Sequence, residues 1–300
     1  MTRFLVTTLG LWLLAFAPAF GAEGGHDHLP MHAEEIVSFG PFVITNSMVM
    51  VWIVAAFVIV MAQLATRNMK LIPSGLQNVV EWLVESLYNF LEGILGPALV
   101  KKTFWFFGTI FILILFINWF GLIPGVGTVG WKLEGSGVDS HDIFRPFLRG
   151  GNADLNMTIA MSVTFALLWF YWAIRENSLK GFLAHIFAPK GKFVGFIIVP
   201  MILVFGFVGL LEVISILFRP VALSFRLYGN VYAGENILEN MMLLFGTGIG
   251  EWFGWIPVLP FYFLELLVGL IQALVFMLLT SVFLKLICEH SDHDHEEHPH

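Results

Sequence analysis

Three hundred residues that are 58% hydrophobic and only 12% charged, with 31 Phe and 10 Trp and a mean hydropathy of +0.83, exclude a water-soluble globule, whose usage is roughly 45–50% apolar and 25% charged. The formal charge of −7 sits at the two ends: Glu23, Asp27, Glu34 and Glu35, then Glu289, Asp292, Asp294, Glu296 and Glu297, are nine acids without a Lys or Arg among them. The remainder carries about +2, too little for a nucleic-acid-binding surface, and Cys288 alone permits neither an intramolecular disulfide nor a thiolate metal motif.

Residues 1–21 carry Arg3, an apolar run from Phe4 to Phe16, and Pro18 before Ala19-Phe20-Gly21. They read as a secretory signal peptide cut near Gly21/Ala22; a short uncleaved span is the alternative, since roughly 17 apolar residues is the lower limit for crossing a bilayer. Residues 22–45 form an acidic, His-containing segment placed outside. The membrane domain is predicted over 46–287, and 288–300 form a His/acid-rich cytoplasmic tail.

Within that domain the block from Met48 to Ala65 is a first span, ended by Arg67 and Lys70, which the positive-inside rule places in the cytoplasm. Pro73–Leu95 has apolar residues at helical spacing (Val80, Leu83, Val84, Leu87, Phe90, Leu91, Ile94) with Gln77, Glu81, Glu85 and Glu92 between them. It predicts an amphipathic helix on the membrane surface or against a partner. Phe104–Ile123 runs outward to a Gly-rich loop at Pro124–Gly151, and Leu155–Ile174 returns to a basic inner loop bearing Arg175, Lys180, Lys190 and Lys192.

The remainder is too long for upright spans. Phe193–Phe245 has about 53 mostly apolar residues, about 80 Å as one helix, against a hydrocarbon core of about 30 Å. Ile256–Ile287 repeats the excess at about 48 Å. Both are expected to be steeply tilted, bent or broken, for instance at Pro200, Pro220 and Gly229, with Gly246–Gly250 as the turn between them. The expected fold is therefore an all-α polytopic membrane protein: about five membrane helices plus an amphipathic surface helix, the last two forming a long, steeply tilted hairpin.

Ionisable groups in such segments are informative, because one at a helix centre costs about 2.5–3.5 kcal/mol on insertion scales. This hairpin holds Glu212, Arg219, Arg226, Glu235, Glu239 and Glu265. Glu212, Arg219 and Arg226 are seven apart and share a helix face, with Ser215, Ala222, Gly229 and Asn230 near the same stripe. Glu212 and Arg219 can be read as pairing with each other. Arg226 has no such neighbour, and its guanidinium cannot shed a proton, so it is a fixed charge in want of an anion.

The stretch Pro220-Val221-Ala222-Leu223-Ser224-Phe225-Arg226-Leu227-Tyr228-Gly229-Asn230-Val231-Tyr232-Ala233-Gly234-Glu235 resembles the signature of subunit a of the F-type ATP synthase. Further matches are Asn118 with Gly121-Leu122-Ile123-Pro124, Asp154–Thr158, Glu212 with Ser215, and Gln272–Phe276. The signal-like start, the Gly-rich outer loop and the His/acid tail depart from the common pattern, and Glu265 stands where many bacterial relatives carry histidine.

The resemblance implies a non-catalytic stator subunit that conducts protons through two half-channels to and from the carboxylates of a rotating c-ring, coupling ion flow to ATP synthesis in the bacterial plasma membrane. It implies Arg226 between the half-channels; Glu235, Glu265, Asn230 and Gln272, with Asp154 near the mouth, on the outer path; and Glu212 and Ser215 on the inner path. The implied partners are the c-ring, the peripheral stalk subunit b, the lipid bilayer and, indirectly, the soluble ATPase head. No cofactor or metal is expected. The N-terminus is expected outside and the C-terminus in the cytoplasm.

Other classes fit the residues less well. A secondary transporter commonly has inverted repeats with paired broken helices, and the Arg226 stretch has no second copy. A membrane haem enzyme needs axial ligands within the bilayer, whereas all ten histidines fall in tails or loops. Gly191-Lys192 lacks the earlier glycine of a phosphate-binding loop. The histidines of the C-terminal tail could bind zinc or nickel, but their setting among acids reads first as a solvated tail.

Overall fold

A computed structural model describes residues 33–39, 42–127, 129–133, 143–187, 198–242 and 255–288. The signal-like residues, the 246–250 turn and the tail from Glu289 onward lie outside them. In chain order the described elements are β1 (Glu35–Phe39), β2 (Phe42–Thr45), α1 (Asn46–Thr66), α2 (Leu76–Leu95), α3 (Pro97–Gly121), β3 (Gly130–Leu133), β4 (Ile143–Pro146), a 3-10 turn (Gly151–Ala153), α4 (Leu155–Phe187), α5 (Ile198–Met242) and α6 (Trp255–Cys288). Five of the helices are long and apolar enough to cross a membrane: α1, α3, the first part of α4, α5 and α6.

Local chemistry sets the boundaries. The Thr45 hydroxyl accepts from Met48 N at 3.3 Å and caps α1. Gly96, at φ 79, closes α2 by donating its N–H to Glu92 O at 2.9 Å and then starts α3 with Pro97 in the first helical position. One left-handed residue thus turns the chain sharply from a surface helix into a span, a backbone state that costs glycine little. Of the apolar stripe expected on α2, Leu87 and Leu91 are buried, together with Leu95, whereas Val84 and Phe90 are exposed, as are Val79 and Trp82.

The main core lies where α3, α4 and α6 meet, with α2 and α5 against it. Phe107, Ile114 and Met277 are fully buried there, and Phe106, Phe107, Phe165 and Trp172 pack ring against ring. In a bilayer such close packing and interhelical hydrogen bonds hold helices together, because lipid is as apolar as the side chains. Trp169 Nε1 donates to Phe283 O at 3.0 Å and ties α4 to α6.

Two features differ from the sequence expectation: α4 stays helical through Arg175 and Lys180 to Phe187, where a basic loop is expected, and short strands are present. Residues before α1 and before α4 form two antiparallel hairpins, β1 with β2 and β3 with β4, joined when Asn46 Nδ2 donates to Pro146 O at 3.1 Å. Their strands are only four or five residues long, so period-two alternation has little room to show itself. Of the expected alternatives for the penultimate segment, tilted, bent or broken, its described part is not broken: the 45-residue α5 runs through Pro200, Pro220 and Gly229, about 67 Å at the standard rise. Pro220 has no N–H to give the Ile216 carbonyl one turn earlier, and one turn later Ser224 Oγ donates to Pro220 O at 2.8 Å.

Candidate functional site

Two polar features stand out on α5, and they lie on different sides of it. Arg226 is solvent- or lipid-exposed, as are Ala222, Gly229 and Ser215. Among the described residues Arg226 makes no ion pair or hydrogen bond. Arg219, one heptad earlier, behaves differently. Its guanidinium turns into the bundle, 4.6 Å from the Phe283 ring centroid and 5.9 Å from that of Trp169, and its Nη2 pairs with Glu212 Oε1 at 3.1 Å. Sharing a helix face therefore does not give the two arginines the same surroundings, because Arg219 reaches aromatic faces that attract a cation.

The second feature is a cavity between α3, α5, α6 and the segment after β4. It is lined by Asn118, Gly150, Asn152, Glu235, Glu265 and Gln272, with apolar neighbours including Ile117 and Val268. Glu265 and Gln272 are seven apart on α6 and share a face. Gly234 makes room for them: a Cβ there would overlap the Glu265 carboxyl group, so the glycine lets the carboxylate lie directly against the α5 backbone.

Asn118 holds the cavity's framework. Its Nδ2 donates to Gly269 O at 3.1 Å and its Oδ1 accepts from Asn152 Nδ2 at 2.6 Å, while Trp119 Nε1 donates to Leu266 O at 3.1 Å. Buried amides that satisfy one another across three segments are costly to disturb. The outer loop's last residues also enter the bundle, where the Gly150 and Gly121 backbones lie close together. Pro124–Gly151 is therefore not wholly a solvent loop: Arg149, Gly150 and Gly151 are buried.

Of the residues singled out from the sequence, Glu235, Glu265 and Gln272 line this one cavity. Asn230 is half-buried on α5 and does not line it. Asp154 is 4% exposed and opens α4 as its cap, its Oδ1 accepting from Asn156 N at 2.9 Å and its carbonyl from Thr158 N at 3.3 Å. Glu212 lies beside Arg219, and Ser215 is exposed. Sequence reasoning missed Arg149, whose side chain is 6% exposed and whose Nη2 lies 3.7 Å from Glu235 Oε2. It also missed Asn152. A short polar, glycine-rich run reads as solvent loop, and only the fold shows where it goes.

Five helices long and apolar enough to cross a membrane, with two carboxylates facing one small cavity among them, are features of a polytopic membrane protein that moves ions. A family model described as ATP synthase A chain matches residues 48–285. The chain is 34% identical over 238 residues to ATP synthase subunit a of Protochlamydia amoebophila, covering 78% of this chain and 77% of that one. It is 30% identical over 253 residues to the subunit a of Moorella thermoacetica, covering 83% and 94% of the two chains. With the subunit a of Campylobacter concisus it shares 30% identity over 244 residues, covering 81% and 89%. The chain belongs to the ATP synthase subunit a family.

Proposed function

We propose that this chain is the stator through which protons reach and leave the carboxylates of a rotating c-ring, coupling their flow to ATP synthesis. The observation that carries the reading is Arg226, an exposed, permanent cation within an apolar 39-residue span that makes no ion pair among the described residues. Leaving a charge so placed is expensive, and an intramembrane carboxylate on a passing partner would offset that cost. The exposed Ala222 and Gly229 one turn to either side leave space for such a partner to approach closely.

The mechanism follows from charge. A carboxylic acid arriving opposite Arg226 is drawn to give up its proton, because an adjacent cation favours the ionised form. A free proton is repelled from crossing at the same place. Protons then cross only by riding the ring from one access path to the other. Glu235, Glu265, Asn230 and Gln272, with Asp154 nearer the mouth, form the outer path; Glu212 and Ser215 lie on the inner one. Carboxylates and amides around a hydrated cavity can pass a proton by alternately donating and accepting.

The peripheral stalk subunit b anchors the stator, and the soluble ATPase head is coupled through it. The N-terminus lies outside the bacterial plasma membrane and the C-terminus in the cytoplasm, as the Lys and Arg distribution requires.

Arg226→Ala in the whole complex tests this. Proton pumping driven by ATP should be abolished while assembly persists, and Arg226→Lys should fail nearly as badly, since an ammonium differs in geometry and can lose its proton. Substantial coupled pumping by an assembled Arg226→Ala complex would overturn the reading.

A further inference from the structure

The outer loop delivers a second arginine to the cavity, and neither its burial nor its position is accounted for by the charge of Arg226. Arg149 is 5% exposed and faces Glu235 across 3.7 Å. A guanidinium remains charged wherever it is placed. A buried one set against a carboxylate that lines a polar cavity is more than a surface contact, because removing either partner strands the other's charge.

Its backbone is also held on both sides. Phe147 N donates to Val129 O and Gly127 N to Leu148 O, each at 2.9 Å, and Ala153 N donates to Gly150 O at 3.1 Å. Three residues on, Asn152 is fastened to Asn118 at 2.6 Å. The guanidinium is thus presented from a fixed segment rather than from a solvated loop. Among the described residues, the charged groups acting on Glu235 are Arg149 from the segment after β4, Glu265 from α6 and Glu239 from α5 itself, and Tyr228 beside it on α5 is influenced by Arg149, Tyr232 and Asp154 as well as by Glu235. Arg149 is the one cation in that set, the rest being acids or phenols.

We propose that Arg149 is a positioning residue of the outer proton path, pinning the Glu235 carboxylate at the outer wall of the cavity and keeping it ready to accept a proton. This rests on the reading of Glu235 as an outer relay. No bond other than the O–H bond is made or broken: a proton from the outer side adds to the Glu235 carboxylate, then leaves toward Glu265 and the ring, and the carboxylate returns to its place beside Arg149. A purely structural tie would hold the loop equally well but would leave the pH dependence of transport unchanged.

The test uses reconstituted ATP synthase making ATP under an imposed gradient of fixed size, with the outer-side pH varied. Arg149→Gln should lower the rate about tenfold and move the outer-pH profile about 1 pH unit toward alkaline, the scale on which a nearby opposite charge acts on a carboxyl. Arg149→Lys should restore most of the rate and the profile. In a Glu235→Gln background, Arg149→Gln should add no further shift, because both act through one carboxylate.

A normal rate and profile in Arg149→Gln, or the same shift with and without Glu235, overturns the proposal. Normal transport in Glu235→Gln alone would instead remove Glu235 from the path and bring down the reading beneath it. Should Arg149→Gln fail to assemble, the double variant with Glu235→Gln decides. Assembly regained with the profile of Glu235→Gln supports the pairing, whereas assembly still lost makes Arg149 a residue of the fold only.

Discussion

Gly234 offers the sharpest way to move Glu265, the proposed relay, without changing its chemistry. A methyl group added there falls inside van der Waals contact with both the carboxyl carbon and the oxygens of Glu265, where carbon atoms normally stay about 3.5–4.0 Å apart. The carboxyl must therefore withdraw by about 1 Å or more. It is the far end of a flexible side chain, so the stability cost should fall at or below the low end of the roughly 1–3 kcal/mol typical of overpacking. Function is more sensitive, since a misplacement of about 1 Å can cost up to about 10²-fold in a positioned reaction.

We expect Gly234→Ala to assemble normally and to lower ATP-driven proton pumping about tenfold, measured by fluorescence quenching in inverted vesicles alongside ATP hydrolysis. Combined with Glu265→Gln it should be little worse than the poorer single variant, because both act on the same group. Wild-type pumping by Gly234→Ala, or fully additive losses in the pair, would refute the idea that Glu265 works from its seat on α5.

Asn118→Leu should destabilise the detergent-solubilised complex, because the buried Asn152 amide loses its partner and the tie from α3 to the Gly269 carbonyl is cut. The cost should be about 1–3 kcal/mol per stranded group; an unchanged thermal unfolding profile would show that water replaces the amide at no cost. Cysteines placed singly along Ile256–Ile287 should report a membrane depth that changes slowly with position, as steep inclination requires. A depth advancing by the full helical rise of about 1.5 Å per residue would show upright packing and refute the inclination drawn from length alone.

Much of this was legible before any coordinates. Apolar runs located the spans because a bilayer demands about 20 consecutive apolar residues per crossing, and the amphipathic spacing of Val80 to Ile94 marked α2. Arg226 was visible because a permanent charge in such a run is costly wherever its side chain points.

Arg149 was not visible, for the opposite reason. Its neighbours Gly150, Gly151 and Asn152 are small or polar, a composition shared by solvent loops and by segments squeezed between helices. Only the close approach of the Gly121 and Gly150 backbones separates the two cases. The fate of Arg219 was hidden as well, since heptad spacing places an α-carbon on a face but does not say where a long side chain turns. The hairpins left no signal beyond a few alternating residues. They depend on partners distant in sequence, above all the contact between Asn46 and Pro146.

That last contact has a consequence for the order in which the protein can be made. Asn46 and Ser47 are 0% and 1% exposed, yet the carbonyl that receives the Asn46 amide lies 100 residues later. At translation rates of about 5–20 residues per second, α1 is made some 5–20 s before that carbonyl exists. Throughout that interval the Asn46 amide lacks the acceptor it has in the finished fold. This end of the bundle is accordingly closed late in synthesis, once the segment leading into α4 has been delivered to it.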